Sequence, residues 1–142
     1  MSALDPAQTI ITLPGVLAWR PYPGAPPKSL DIYSPAGAET GAGLYVTLLR
    51  WWPGYMSAPH SYSTDRFCVV LSGVWWCNSG ADFDPGACVS VPAGSFVRRV
   101  AKTPHYDGVI AGHSEPAIIA ICGVAPVHFT LCDPSLPEVR TV

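Results

Sequence analysis

The sequence is poor in charge. Lys, Arg, Asp and Glu make up only 13% of the 142 residues, and they nearly cancel to a formal net charge of -2. That leaves no basic stripe for a phosphate backbone and no polybasic patch for an anionic bilayer, so neither nucleic acid nor a membrane is an expected partner. Long apolar runs are missing too: none approaches the roughly twenty residues of a membrane-spanning helix. The N-terminal "MSALDPAQTI" has neither a basic start nor an apolar core, and is not expected to act as a signal peptide. Cysteine pairs of the C-x-x-C kind are absent, and the five cysteines (Cys68, Cys77, Cys88, Cys122 and Cys132) are odd in number. Reduced thiols in a cytoplasmic protein are the simplest expectation, each a small buried hydrophobe in runs such as "RFCVVL" and "IIAICGV". Helical periodicity is the last absence, since no window repeats its apolar positions about every 3.6 residues.

What is present is hydrophobic and punctuated. Hydrophobic residues reach 49%, enough for the core of one domain. Sixteen prolines and thirteen glycines interrupt the chain every few residues. Between them lie short β-branched and aromatic runs: "GLYVTLLRWW" (43–52), "RFCVVLSGVWWC" (66–77), "ACVSV" (87–91), "SFVRRV" (95–100), "PAIIAICGV" (116–124) and "PVHFTL" (126–131). Such spacing predicts an all-β sandwich or barrel. Residues 1–42 are rich in Pro, Gly and Ala. They read as an N-terminal arm with one or two short edge strands around "TIITL" and "LDIYS", preceding a barrel over 43–142. The arm either packs on its own barrel or wraps a neighbouring subunit.

Polar chemistry concentrates in "PGYMSAPHSYSTDRFCVVLSG" (53–73). His60 and Tyr62 are two apart in a segment expected to be extended, so both project to one side of a strand. Arg66 keeps that parity if the strand runs on without a bulge, and otherwise turns outward to pair with Asp65 or another surface acid. Arg98 and Arg99 are adjacent in a predicted strand, so one faces in and one out. Each of the pairs Trp51–Trp52 and Trp75–Trp76 would likewise split its rings between the two faces. Outward rings on a small barrel point to a dimer interface, with sheet packing as the alternative.

The spacing resembles that of the cupins, small RmlC-like double-stranded β-helix (jelly-roll) barrels. Their first motif reads Gly, five residues, His, one residue, His, three or four residues, Glu, six residues, Gly. Here Gly54, His60, Tyr62, Arg66 and Gly73 fall on it, with Tyr62 in place of the second His and Arg66 in place of the Glu. Two frames compete for the second motif. Gly86, Pro92 and Gly94 match its start but put Val97 at the histidine. A later frame through Gly94, Val100, Lys102, His105 and Val109 keeps the histidine, in "KTPHYDG". The later frame is preferred because many cupins present this ligand as Thr-Pro-His at a strand end. The resemblance covers residues 43–131 and implies the jelly-roll barrel.

In metal-binding cupins the motif histidines and the Glu ligate Fe, Mn, Ni, Zn or Cu. This chain keeps only His60 and His105. Tyr62 would have to lose its proton to ligate, and Arg66 cannot ligate at all. Cys122 lies on a late strand where some relatives carry a histidine. The resemblance therefore leaves three expectations open. One is a small-molecule enzyme doing acid/base chemistry (isomerase, lyase or cyclase) on a carbonyl or carboxylate compound. His60 would be the base, Tyr62 the acid, Arg66 an anion clamp and His105, on the facing strand, an auxiliary base or orienter. Some metal-free sugar-nucleotide epimerases of the superfamily are similar in using a histidine base and a tyrosine acid. The second is a metal-dependent cupin of dioxygenase type, holding one divalent or ferric ion (Fe, Mn, Zn or Ni) through His60, Tyr62 and His105. The third is a non-catalytic module that binds a small molecule. A homodimer is expected in each case, and His113 and His128 are expected to have no site role.

Overall fold

The computed structural model describes residue 7 and residues 9–142. Among them are thirteen strands: β1 Arg20–Pro21, β2 Leu30–Ala36, β3 Gly43–Trp51, β4 Tyr55–Ser57, β5 His60–Tyr62, β6 Arg66–Ser72, β7 Val74–Ser79, β8 Val89–Pro92, β9 Phe96–Arg99, β10 His105–Val109, β11 Ala117–Ala125, β12 Phe129–Leu131 and β13 Val139–Thr141. Helical structure among the described residues is limited to two 3-10 turns, at Pro14–Val16 and Pro85–Ala87. The all-β expectation holds, and the fold is an antiparallel jelly roll.

Two sheets enclose the core. One runs β1-β2-β3-β11-β6-β9. The other runs β12-β5-β10-β4-β13, with β7 added against β10 and β8 against β7. β11 is the spine of the first sheet. It buries Ala117, Ile119, Ile121 and Ala125 on one face and pairs with β3 over its whole length and with β6 over half of it. Trp51, Val70 and Ile119 from this sheet meet Trp75, Val109 and Val139 from the other. Fully burying such side chains is worth about 1.5–3 kcal/mol each, which makes this contact the main source of cohesion.

Glycine permits the sharpest reversal. Gly73 sits at φ 71 between β6 and β7, and a Cβ there would run into the Pro116 backbone. That turn splits the predicted run 66–77 in two and sends its halves to different sheets.

The N-terminal segment departs in part from expectation. "LDIYS" forms a strand inside β2, paired with β3. "TIITL" does not: Thr9–Leu13 carry no strand, and Ile10, Ile11 and Leu13 are exposed without a partner strand. The start of the arm, residues 1–6 and 8, lies outside the described residues.

Trp51 and Trp75 point inward, as alternation requires. Their neighbours are covered by this chain itself. Trp52 lies under the Arg50 guanidinium, 5.2 Å from its ring, and donates to Asp31 at 2.8 Å; Trp76 meets the His113 ring edge-on at 5.6 Å. The cysteines divide. Cys68 and Cys77 are buried filler, Cys88 is half-buried, and Cys122 and Cys132 are exposed, against the expectation of burial for all. No helix among the described residues is long and apolar enough to cross a membrane.

Candidate functional site

Between the sheets lies a cavity of about 50 Å³. Strand alternation supplies its polar floor. β5 presents His60 and Tyr62, and β10 presents His105 and Asp107, each pair two residues apart and so on one face. β5 and β10 are antiparallel neighbours with His60 directly opposite His105. The second histidine therefore stands on the adjacent strand of the same sheet, not on a facing one. The two imidazole centroids are 4.4 Å apart, and the Tyr62 ring lies 5.2 Å from His60 and 5.7 Å from His105. Both histidines are only 4% exposed.

Each imidazole is oriented by the backbone. His60 Nδ1 is 2.7 Å from the Ala58 carbonyl, and His105 Nδ1 is 3.1 Å from the Thr103 carbonyl. A carbonyl only accepts, so each Nδ1 carries the proton and each Nε2 keeps its lone pair. Burial holds the His60 pKa below its ordinary value. His105 is pushed down to about 3, first by burial and then by the nearby Arg99 charge and by His60. Both rings are neutral at neutral pH.

Arg66 faces inward, but not by the route its spacing suggested. The chain leaves β5 after Tyr62, bends through 63–65 and enters β6 in the other sheet. Parity with His60 is lost there. Alternation within β6 then buries Arg66, Cys68 and Val70 together. Arg66 stacks over the Tyr62 ring at 3.9 Å, donates through Nε to Tyr45 Oη at 3.2 Å and pairs with Glu39 at 2.5 Å. Asp65, its suggested surface partner, is taken by Arg98. Burial raises the Tyr62 pKa, the Arg66 charge opposes that rise, and the phenol stays protonated.

Arg99 is the inward member of its pair, 9% exposed, and its Nη2 meets Asp107 Oδ2 at 3.0 Å. Asp107 Oδ1 accepts from Trp75 Nε1 at 3.1 Å. Val97, the rival for the second-motif histidine, lies in β9 opposite Cys68 and does not border the cavity. Cys122 is corrected outright as a possible ligand: β11 turns it outward, where its Sγ contacts the Phe67 carbonyl at 3.6 Å. Cys68 does border the cavity, with a thiol pushed up to about 12 by burial. His113 and His128 are exposed and away from the cavity.

Four polar residues of the site escape sequence reasoning. Asp107 was within reach, since it lies two residues after His105 on the same strand face. Glu39, Tyr22 and Glu138 were not. Tyr22 Oη donates to Glu138 Oε1 at 2.7 Å across 116 residues of chain, and nothing local announces that contact.

No protein-family model matches the chain, and no curated protein matches its sequence. Solved structures match its shape. The polyketide cyclase RemF from Streptomyces resistomycificus superposes with a TM-score of 0.66 at 15% identity, over 92% of this chain and 95% of that one. An RmlC-like cupin from Shewanella frigidimarina NCIMB 400 gives 0.57 at 12% identity, over 87% and 92%. The chain has the cupin fold. The DMSP lyase DddQ from Ruegeria pomeroyi DSS-3 gives 0.65 at 14% identity, over 86% of this chain and 64% of that one. At these identities the likeness concerns the fold alone.

Metal ligation in this cupin fold can be judged from the donors present. His60, His105 and Asp107 place three donor atoms within 4.8 Å of one another, and both imidazoles offer Nε2 with Nδ1 held from behind, as ligating histidines require. These donors fit a divalent ion. Asp107 is a donor that the motif spacing did not suggest, and Tyr62 remains the expected one, although burial favours its protonated form. The ion pair with Arg99 competes for the carboxylate and sets a cation beside the site, which weakens it.

Proposed function

We propose that the chain is a small-molecule enzyme that moves protons on a small carbonyl compound held in the barrel cavity. The observation that carries this reading is the pair of buried, neutral imidazoles whose free Nε2 atoms share a cavity with a protonated phenol. His60 takes a proton from carbon. Tyr62 gives one to the developing oxyanion, and His105 is the second base or orients the carbonyl. Glu39 and Tyr45 take two of the five N–H donors of Arg66, and the anion-clamp role expected of it would fall to the others. Its charge over the Tyr62 ring also favours the phenolate that forms when the phenol gives up its proton.

Proton abstraction can be followed without knowing the product. In D2O, the protein should catalyse exchange of α-protons in members of a panel of small aldehydes and ketones, read by NMR. His60→Ala and Tyr62→Phe should each lower that exchange by about 10²–10⁴-fold while the fold is kept. Exchange unchanged by His60→Ala would sink the assignment.

A second reading is favoured by the three-donor cluster. A divalent ion held by His60, His105 and Asp107 would act as a Lewis acid toward a carbonyl oxygen, and Tyr62 would remain the proton donor. Near-stoichiometric metal in protein purified without a tag, lost on His60→Ala, would select it.

We also propose that the chain pairs with a second copy through the outer face of the β6–β9 region. Phe67, Val69 and Phe96 are 40%, 41% and 64% exposed, and the two Phe rings stack at 6.2 Å. Light scattering should report a dimer that Phe96→Glu dissociates, and a monomeric parent protein would refute the pairing.

A further inference from the structure

The charges around the cavity do not balance. Both guanidiniums that border it are matched within the protein, Arg66 by Glu39 and Arg99 by Asp107. The remaining acid on the cavity wall is Glu138, just ahead of β13, and it forms no ion pair among the described residues. Tyr22 donates to its Oε1, and a phenol orients a carboxylate without cancelling its charge. Oε2 has no hydrogen-bond partner among the described residues. The histidines add no positive charge, since both rings are buried and burial disfavours the imidazolium.

Much of the remaining wall is aromatic, with Tyr22, Trp51, Tyr62 and Phe129 among its residues. An aromatic face attracts a cation through its quadrupole, and what the wall offers an anion is two buried donors without a partner among the described residues, Trp51 Nε1 and Arg99 Nε. A carboxylate ligand would meet the unmatched charge of Glu138 in a partly desolvated space, where like charges repel more strongly than in water. A cation would supply the counter-charge that the described residues do not. The volume of about 50 Å³ limits the size of the guest. It corresponds to roughly three or four waters, enough for a head group of a few heavy atoms.

We propose that this cavity selects a small cationic molecule of the alkylammonium class, its charged head set against Glu138 and the aromatic wall, and that it discriminates against carboxylates. The proposal rests on the proton-transfer reading only in placing the guest beside His60 and Tyr62. It narrows the substrate to a carbonyl compound that carries a positive charge.

Three probes of similar shape separate charge from size: tetramethylammonium, tert-butanol and pivalate. Each is titrated into the full, chelator-treated chain, with binding read from chemical-shift changes of cavity residues. Tetramethylammonium should bind most tightly and pivalate most weakly, with about tenfold or more between them. Glu138→Gln should abolish that gap by weakening tetramethylammonium and leave tert-butanol unchanged, circular dichroism verifying the fold. Equal or tighter binding of pivalate, a gap that survives Glu138→Gln, or no response to any probe would each overturn the proposal. Failure here with exchange still lost in His60→Ala leaves the proton-transfer reading standing. A charge preference that persists while His60→Ala exchanges normally removes that reading and keeps this one.

Discussion

The floor and the rim of the cavity are built by different means. The floor is two short strands, β5 and β10, whose alternation places His60, Tyr62, His105 and Asp107 side by side, with backbone carbonyls fixing the imidazoles. The rim comes from distant parts of the chain. Glu39 and Tyr22 lie ahead of β3 and Glu138 near the C-terminal end, and they are joined to the site through Arg66–Glu39 and Tyr22–Glu138. The floor's geometry is local and stiff, so it suits chemistry. The rim consists of side-chain pairs that join distant segments, each with one partly exposed carboxylate, so it suits selection.

Substitutions should separate the two. The largest effect is expected on the floor, where His60→Ala removes the base. Turnover should fall by about 10²–10⁴-fold with thermal stability nearly kept, whereas rim substitutions should alter selectivity first. Next comes Asp107→Ala, which strands the Arg99 charge in a buried site. Chemical denaturation should show a loss of about 3–5 kcal/mol, the usual cost of removing one partner of a buried pair.

Acid should act on the floor as well. The folded-state pKa of His105 lies at about 3 against an ordinary 6.5, and that of His60 is lowered too. Between those values the unfolded chain binds protons that the folded chain refuses, so stability falls as pH drops from about 6.5 toward 3. The loss should be on the order of a few kcal/mol, and His105→Gln should flatten the curve of denaturation midpoint against pH. The half-exposed rim should respond less. Glu39→Gln, which unpairs Arg66 at a carboxylate open in part to water, should cost about 1 kcal/mol or somewhat more. Smallest of all, Cys122→Ser on the outer face should stay within about 0.5 kcal/mol of the parent.

The same division governs what the sequence reveals. Six β-rich runs and their turns are legible because alternation and glycine are local signals, and β3 and β11 follow them closely. β10 was harder, since its "HYDGV" is too polar to read as a strand, yet all five residues are buried. His60, Tyr62 and His105 are legible through motif spacing. Arg66 reaches the cavity for a different reason from the one its spacing offered, because the chain changes sheets between Tyr62 and Arg66. The failure of "TIITL" as a strand has a similar cause: β propensity without a neighbouring edge forms no ladder. Tyr22, Glu39 and Glu138 stayed hidden because only tertiary closure brings them to the site.

The central claim is that two neutral imidazoles present unprotonated Nε2 atoms to the cavity. The most direct measurement is the nitrogen-15 NMR spectrum of the histidine side chains at neutral pH, assigned through His60→Ala and His105→Gln. The shifts should show both rings neutral, with the proton on Nδ1 and an unprotonated Nε2. An imidazolium at either position, or a proton on Nε2 of His60, would contradict the claim and leave the cavity without its base.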